Sequence, residues 1–527
     1  MNFARNINIY RKTHMAKLLL KKSITQLMKE ANDPSDDAHG IKLKKHLNGW
    51  HLMFLGVGAI VGAGIFSLSG TGAAYYAGPA IVYSFILAGF LCALAGLCYA
   101  EMSSMVPLSG SAYTYSYATM GEFVAWIIGW DLVLEYAFGA VTVASAWSGY
   151  LYSIIYKTMG IELPTILLRF TKGPWETVTL PDGSGTAAGI VNLPASFVAI
   201  LAALVLFRGI RESAIINNII VIIKVTIVIA FIALGWSVID QANWIGNAAV
   251  EGFQSLVPPI GLANKDGREF MSYGWPGVLT GAGVVFFAYI GFDSVSTAAQ
   301  ECKNPQRDLP IGILGSLIIC TVLYIAMSLV MTGVVRYSDL GVPDPVAVGI
   351  DRIIELRQWD PTSKFVFTLL VKVGALLGLT SVILVLMLGQ TRIFYSMARD
   401  GLLPWFNTLH PTYHTPSIAT VVTGGLVAIC AGLMPMSIVG ELVSIGTLLA
   451  FVVVCLGVSI LRVTEPNIPR PFKVPLHWLV GPLGAISCLW VMSGLPPDTW
   501  LRLLVWLLIG FIIYFAYGIH NSKLRRR

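Results

Sequence analysis

The chain is a succession of long apolar runs separated by short polar segments. Twelve runs stand out, at 50–77, 79–106, 123–156, 190–207, 215–239, 276–298, 310–335, 364–396, 417–434, 437–461, 477–495 and 499–518. A helix crossing the ~30 Å hydrocarbon core of a bilayer needs about 20 residues. Backbone groups in lipid must be satisfied within the segment, so each run predicts a helix. None alternates polar and apolar residues, which excludes a membrane β-barrel. The pattern predicts an all-α integral membrane protein with twelve transmembrane helices. The intervening segments near 157–189, 240–275 and 336–363 predict ordered loops or short surface helices.

Composition fits lipid as the main solvent. Of 527 residues, 56% are hydrophobic and 12% are charged, against about 25% charged in a soluble domain. Mean hydropathy is +0.73. A large soluble enzyme, a disordered chain and a nucleic-acid-binding protein are excluded, the last despite the net charge of +7. Lys and Arg concentrate in residues 1–49 and in the segments carrying Arg208 and Arg211, Lys303 and Arg307, Arg392 and Arg399, Arg462, Arg470 and Lys473, and Lys523 to Arg527. These share one side if the helix count is even, which predicts both termini in the cytoplasm. Residues 1–49 are polar and basic and lack the apolar stretch of a signal peptide. Six of the seven Cys lie in apolar runs and Cys302 lies in a polar loop; without CxxC or Cys/His clusters, no metal site is expected.

Glycine marks two runs as unusual. The first reads Leu55-Gly-Val-Gly-Ala-Ile-Val-Gly-Ala-Gly-Ile-Phe66 and the sixth Gly281-Ala-Gly-Val-Val-Phe-Phe-Ala-Tyr-Ile-Gly-Phe-Asp293. Each interior Gly costs a helix about 1 kcal/mol relative to Ala. Close helix packing explains a lone Gly pair. Dense clusters in the first and sixth of twelve helices instead suggest a five-plus-five inverted repeat with one broken helix in each half. The predicted organisation is a basic N-terminal segment (1–49), a first repeat (50–239), a second repeat (276–461), two further helices (477–518) and a basic tail (519–527). A break bares amides suited to a carboxylate and carbonyls suited to an ammonium, together matching the backbone of an amino acid.

Six motifs in order carry a family resemblance: Gly62-Ala-Gly-Ile-Phe66, Pro107-Leu-Ser-Gly-Ser-Ala-Tyr-Thr-Tyr115, Gly129-Trp-Asp-Leu-Val-Leu-Glu-Tyr136, Phe286-Phe-Ala-Tyr-Ile-Gly-Phe-Asp293, Glu301-Cys-Lys-Asn-Pro-Gln-Arg307 and Arg399-Asp-Gly-Leu-Leu-Pro404. Over about residues 40–520 the chain resembles the amino acid–polyamine–organocation transporters, and within them the bacterial form of the cationic amino acid transporter family. The resemblance implies a LeuT-like fold with helices 1 and 6 unwound around the substrate. It implies that the substrate carboxylate meets amides of Gly62, Ala63 and Gly64, that its ammonium meets carbonyls around Ile60, Phe287, Ala288 and Ile290, and that Phe287 is a lid. Ala63 departs from the Ser or Thr of many relatives, and Gln300 from a common Glu.

Charges inside the apolar runs are the remaining chemistry. Lys224, nine residues into the fifth run, lies about 13 Å deep at 1.5 Å per residue. Insertion of Lys at mid-membrane costs roughly 2.5–3.5 kcal/mol, so it needs a function or a snorkelling route. Function is the preferred reading. A buried Lys that gains and loses a proton would couple proton flow to transport, and the resemblance implies the same: a Lys here replaces the sodium of sodium-driven relatives. Lys224 is expected to carry the proton and to contact the helix 1 backbone near Gly58. Asp131 and Glu135 share a helix face; Asp131 predicts a structural pairing and Glu135 a part in coupling. Asp293 predicts a cap or gate partner, Lys372 snorkelling, and Glu441 an interfacial position. Phe287, Glu301 and Arg307 are candidate gate residues, with Arg399 and Asp400 adding charge at the inner mouth.

The resulting expectation is a secondary transporter importing amino acids by proton symport with alternating access, driven by a proton gradient and using no cofactor. No GxSxG, HExxH or Walker motif suggests an enzyme. The alternatives are an exchanger or facilitator without proton coupling, and a non-transporting amino acid sensor. An apolar eighth run around Leu386, a candidate lining residue, points to small neutral amino acids over cationic ones. The remaining partners expected are protons and the lipid bilayer, in a bacterial inner membrane.

Overall fold

The structure, a computed structural model, describes residues 20–24, 26–27, 47–108, 110–179, 185–209, 214–245, 252–265, 268–299, 302–413 and 415–526. Its main helices are α1 (Gly49–Ile60), α2 (Ile81–Met105), α3 (Ser111–Thr119), α4 (Glu122–Thr158), α5 (Leu193–Arg208), α6 (Ala214–Trp236), α7 (Gly274–Val285), α8 (Pro305–Val334), α9 (Pro345–Leu356), α10 (Pro361–Arg399), α11 (Ser417–Leu433), α12 (Met436–Thr464), α13 (His477–Ser493) and α14 (Pro497–Ile513). Among the described residues, eight helical stretches are long and apolar enough to cross a membrane. The expected runs 50–77 and 79–106 share the first, Gly49–Met105, which is interrupted at Val61 and again at Gly78 (φ 61°). The runs 190–207, 417–434 and 477–495 appear as shorter apolar helices of 16 or 17 residues.

The connections hold more strand than expected. Among the described residues, two antiparallel pairs occur, β1 (Thr177–Thr179) with β2 (Thr186–Ala188) and β3 (Gly261–Lys265) with β4 (Arg268–Ser272). In the first, the β-branched Thr177-Val-Thr179 supplies strand propensity that the loop reading passed over. The short surface helix α9 matches the expectation for 336–363. At the start of α10, Asp360 accepts the Ser363 N–H at 3.0 Å, which holds its carboxyl below the usual range.

Packing follows membrane rules. On α14, Leu501, Leu504, Leu508 and Ile512 are exposed on one face while Leu503 is buried, an apolar outside of the kind suited to lipid. Without water to expel, helices pack through small residues that let backbones approach. A Cβ at Gly56 would meet Ser316 Oγ at 2.4 Å, at Gly312 Leu52 Cβ at 2.7 Å, and at Gly89 Thr321 Cγ2 at 2.7 Å. These contacts lock α8 against α1 and α2.

The two described ends of the chain meet on one face. The Glu122 amide donates to Leu20 O at 2.9 Å, and the Lys523 amide to Asp400 O at 3.0 Å. Lys22 Nζ pairs with Asp400 Oδ1 at 2.7 Å, and Arg525 Nε with Glu122 Oε1 at 2.7 Å.

Candidate functional site

Both glycine-rich runs are discontinuous. Helix α1 ends at Ile60; Val61 is extended at ψ 92°, and helical bonding resumes only when the Phe66 amide donates to Gly62 O at 3.1 Å. Gly62, Ala63 and Gly64 thus lead into a new helical segment, whose first amides lack intrahelical acceptors and carry the positive end of its dipole. In the second run, α7 gives way at Phe286 to a tight turn through Tyr289. Ile290 is extended at ψ 134° and Gly291 adopts φ 116°. Helix returns at Ser294–Thr297. The backbone of Gly291 lies where an L side chain is strained, so glycine is needed there.

The breaks touch each other. A Cβ on Gly64 would lie 2.1 Å from Ala288 Cα, and one on Gly291 would lie 2.9 Å from Ala59 Cβ. Ile60, Gly62, Ala63, Gly64, Phe287, Ala288 and Ile290 are all buried in this junction. From α10, Val382 is the residue facing Gly62, 3.1 Å from where its Cβ would be. Leu386, one turn further on, instead faces Gly139 of α4 at 3.3 Å.

Two side chains reach the freed carbonyls. Lys224, fully buried on α6, donates from Nζ to Gly58 O at 2.6 Å and Val61 O at 3.1 Å. Its stem turns inward and does not snorkel: a Cβ on Gly378 of α10 would lie 2.6 Å from Lys224 Cδ. Tyr324 of α8 places its hydroxyl 2.8 Å from Ile60 O and 3.0 Å from Ala288 O. That hydroxyl carries one proton and so donates to one of these carbonyls at a time. Sequence reasoning missed Tyr324, Val382 and Gly378, because each acts across helices distant in the chain.

The acidic residues depart from expectation. Asp131 makes no pairing among the described residues; both its oxygens lack a hydrogen-bond partner. It faces Gly446 of α12, where a Cβ would lie 3.0 Å from Asp131 Oδ1 and no side chain can answer it. Glu135 is fully buried with its carboxyl beside those of Asp293 and Asp131, and neither of its oxygens meets a well-formed hydrogen bond among the described residues. Asp293 does not cap its helix through its side chain; it accepts from Tyr136 Oη at 2.5 Å and Ser111 Oγ at 3.2 Å. Lys372 does not snorkel: its side chain is 1% exposed, with Nζ donating to Thr158 Oγ1 at 3.0 Å and 3.8 Å from Asp351 Oδ2. Thr158 at the end of α4 and Asp351 of α9 hold it in place. Glu441 is buried and accepts from Tyr76 Oη at 3.1 Å and Thr499 Oγ1 at 3.0 Å. Of the gate candidates, Phe287 is buried and Arg307 is exposed; Gln300 and Glu301 lie outside the described residues. Asp400 is taken by Lys22 and by the Tyr113 hydroxyl at 2.6 Å.

Residues 47–516 match the family model described as amino acid permease. The chain belongs to the amino acid permease family. Among its relatives, the methylthioribose transporter of Bacillus subtilis (strain 168) is 39% identical over 519 residues, covering 97% of this chain and 100% of that protein. The branched-chain amino acid permease BcaP of the same organism is 40% identical over 485 residues, covering 92% and 95%. Cationic amino acid transporter 3, mitochondrial, of Arabidopsis thaliana is 37% identical over 441 residues, covering 83% of this chain and 65% of that protein. This permease is therefore an integral membrane transporter and not an enzyme.

Proposed function

We propose that this permease imports a neutral aliphatic amino acid by proton symport with alternating access. The observation that carries the reading is the junction of the two breaks, with the Gly62–Gly64 amides on one side and the Ile60 and Ala288 carbonyls on the other. A zwitterion presents the matching pair, a carboxylate for the amides and an ammonium for the carbonyls. The ammonium takes whichever carbonyl Tyr324 does not occupy, with Ile290 and Phe287 closing around it. Val382 and Ala63 offer an aliphatic side chain no polar group, consistent with the relative named as a branched-chain amino acid permease.

In this reading the chain crosses a bacterial inner membrane twelve times, with 50–239 and 276–461 as inverted repeats. The meeting of both described ends on one face supports an even number of crossings and a shared cytoplasmic side. Lys224 is the proton carrier. Protonated, it binds the Gly58 and Val61 carbonyls and stiffens the first break; on losing the proton it donates less and the break relaxes. Glu135 receives or supplies protons on the way, and Phe287 with the Glu301–Arg307 segment gates the path.

The test is leucine uptake into proteoliposomes empty of substrate. With the outside acidic, leucine should accumulate above its external concentration; Lys224→Ala should leave uptake flat with pH. Equal uptake with and without the gradient would make the protein a facilitator, and uptake only with internal amino acid an exchanger. Methylthioribose serves as the competing substrate, and preference for it over leucine would overturn the amino acid reading.

A further inference from the structure

A separate cavity of about 340 Å³ lies beyond the first break, away from α1. That volume falls at the small end of the roughly 300–1,000 Å³ of small-molecule sites. Leu68 and Thr71 line it from the helical segment that starts at Gly64. Four residues at 1.5 Å each put Leu68 about 6 Å along the axis from the Gly64 amide. The cavity is thus roughly one helical turn further along the same axis.

Its lining has a charged part and an apolar part. Lys157, Lys172, Glu176 and Asp344 supply both signs of charge, while Leu68 and Met436 supply apolar surface. The charges are loosely answered. Asp344, with a side chain 6% exposed, has Lys157 at 3.5 Å, and that Lys is 39% exposed. Lys172 and Glu176 pair at 3.0 Å in partly exposed positions. The exposed Lys172–Glu176 pair is worth about 0–1 kcal/mol, so a ligand can exchange either of its partners at little cost, and Lys157, the exposed partner of Asp344, is free to turn to a ligand. Ser145, also in the lining, is 9% exposed and its hydroxyl has no hydrogen-bond partner among the described residues. A buried polar group left open in this way calls for a ligand or ordered water.

We propose that this cavity is a second amino-acid site, a loading station in which Asp344 accepts from the ammonium, Lys157 and Lys172 meet the carboxylate, Ser145 adds a hydrogen bond and Leu68 and Met436 receive an aliphatic side chain. It rests on the amino acid reading of the permease. Its place one turn from the Gly62–Gly64 amides makes it the station before the central site, and its twofold charge selects zwitterions over neutral solutes such as sugars.

Equilibrium binding of radiolabelled leucine to the detergent-purified full chain tests it. The wild type should bind two leucines per chain. Asp344→Asn should bind one, with the remaining affinity unchanged. Lys172→Gln, in the turn before β1, should weaken the second site about tenfold, the loss of one charge-assisted hydrogen bond. A single site in the wild type, or two undiminished sites in both variants, overturns the loading station and leaves the central site standing. No leucine bound at all overturns the amino acid reading with it.

Discussion

Lys224 is the residue on which energetics and function meet. A lysine deep in an apolar helix costs several kcal/mol unless its ammonium is answered, and here the answer is two carbonyls released by the helix break. The break and the lysine therefore stabilise each other. Lys224→Ala removes the donor and leaves Gly58 O and Val61 O without it; pH-driven accumulation should vanish while the folded protein persists, read as uptake against external pH. Tyr324→Phe tests the other side of the junction. It keeps the ring and deletes the hydroxyl shared by Ile60 O and Ala288 O, a loss of about 1–3 kcal/mol for a buried acceptor. Thermal stability should fall by that amount. Gly378→Val probes Lys224 without touching it chemically: with a Cβ only 2.6 Å from Lys224 Cδ, the stem must move, at a cost of about 1–3 kcal/mol from overpacking. A variant that binds leucine normally but loses its pH response would tie that response to the lysine's position. A variant with an intact pH response would separate them.

At the scale of elements, the two breaks depend on contacts that admit no side chain. Gly64→Ala drives a methyl into Ala288 Cα, and Gly291→Ala forces φ 116° on an L residue while crowding Ala59. Strain of the second kind costs about 1–3 kcal/mol. Each variant should lose leucine binding, measured by thermal shift with added ligand. Gly312→Ala, in the packing of α8 on α1, is the control: it should lower stability and spare affinity. The contrast shows what was legible in the sequence. Glycine density located both interruptions, because a helix tolerates few glycines and the two clusters fall at matching places. It did not separate Gly56, which packs against Ser316, from Gly64, which packs against a backbone; that difference depends on which helix lies opposite. Lys224 stood out as a charge in an apolar run. Tyr324 and Val382 did not, because tyrosine and valine in apolar runs are ordinary and only their position across the breaks gives them a role. Its own helix presents Asp131 as one half of a pair, and the glycine opposite it is invisible from that helix alone.

Across the whole molecule, the two described ends of the chain form a clamp over two distant connections. Lys22 reaches Asp400 after α10, and the Tyr113 hydroxyl from α3 binds the same carboxylate. Glu122 at the start of α4 accepts from Tyr117, Tyr514, Ser522 and Arg525. The clamp thus ties α3, α4 and the end of α10 to both described ends of the chain. The Lys22–Asp400 pair is nearly buried, with side chains 8% and 9% exposed. Removing one partner of such a pair costs about 3–5 kcal/mol, because the other charge remains in a poor solvent, whereas replacing both together is close to neutral. Lys22→Met and Asp400→Asn should therefore each lower the unfolding temperature of the detergent-purified protein, and the double variant should recover most of the loss. Equal losses in the single and double variants would mean that Tyr113 and the backbone hold the clamp without the ion pair. Because α10 also carries Val382 and Gly378, a loosened clamp should reach the central junction as well. Each single variant should raise the leucine concentration needed for half-maximal uptake, and the double variant should bring it back towards the wild-type value.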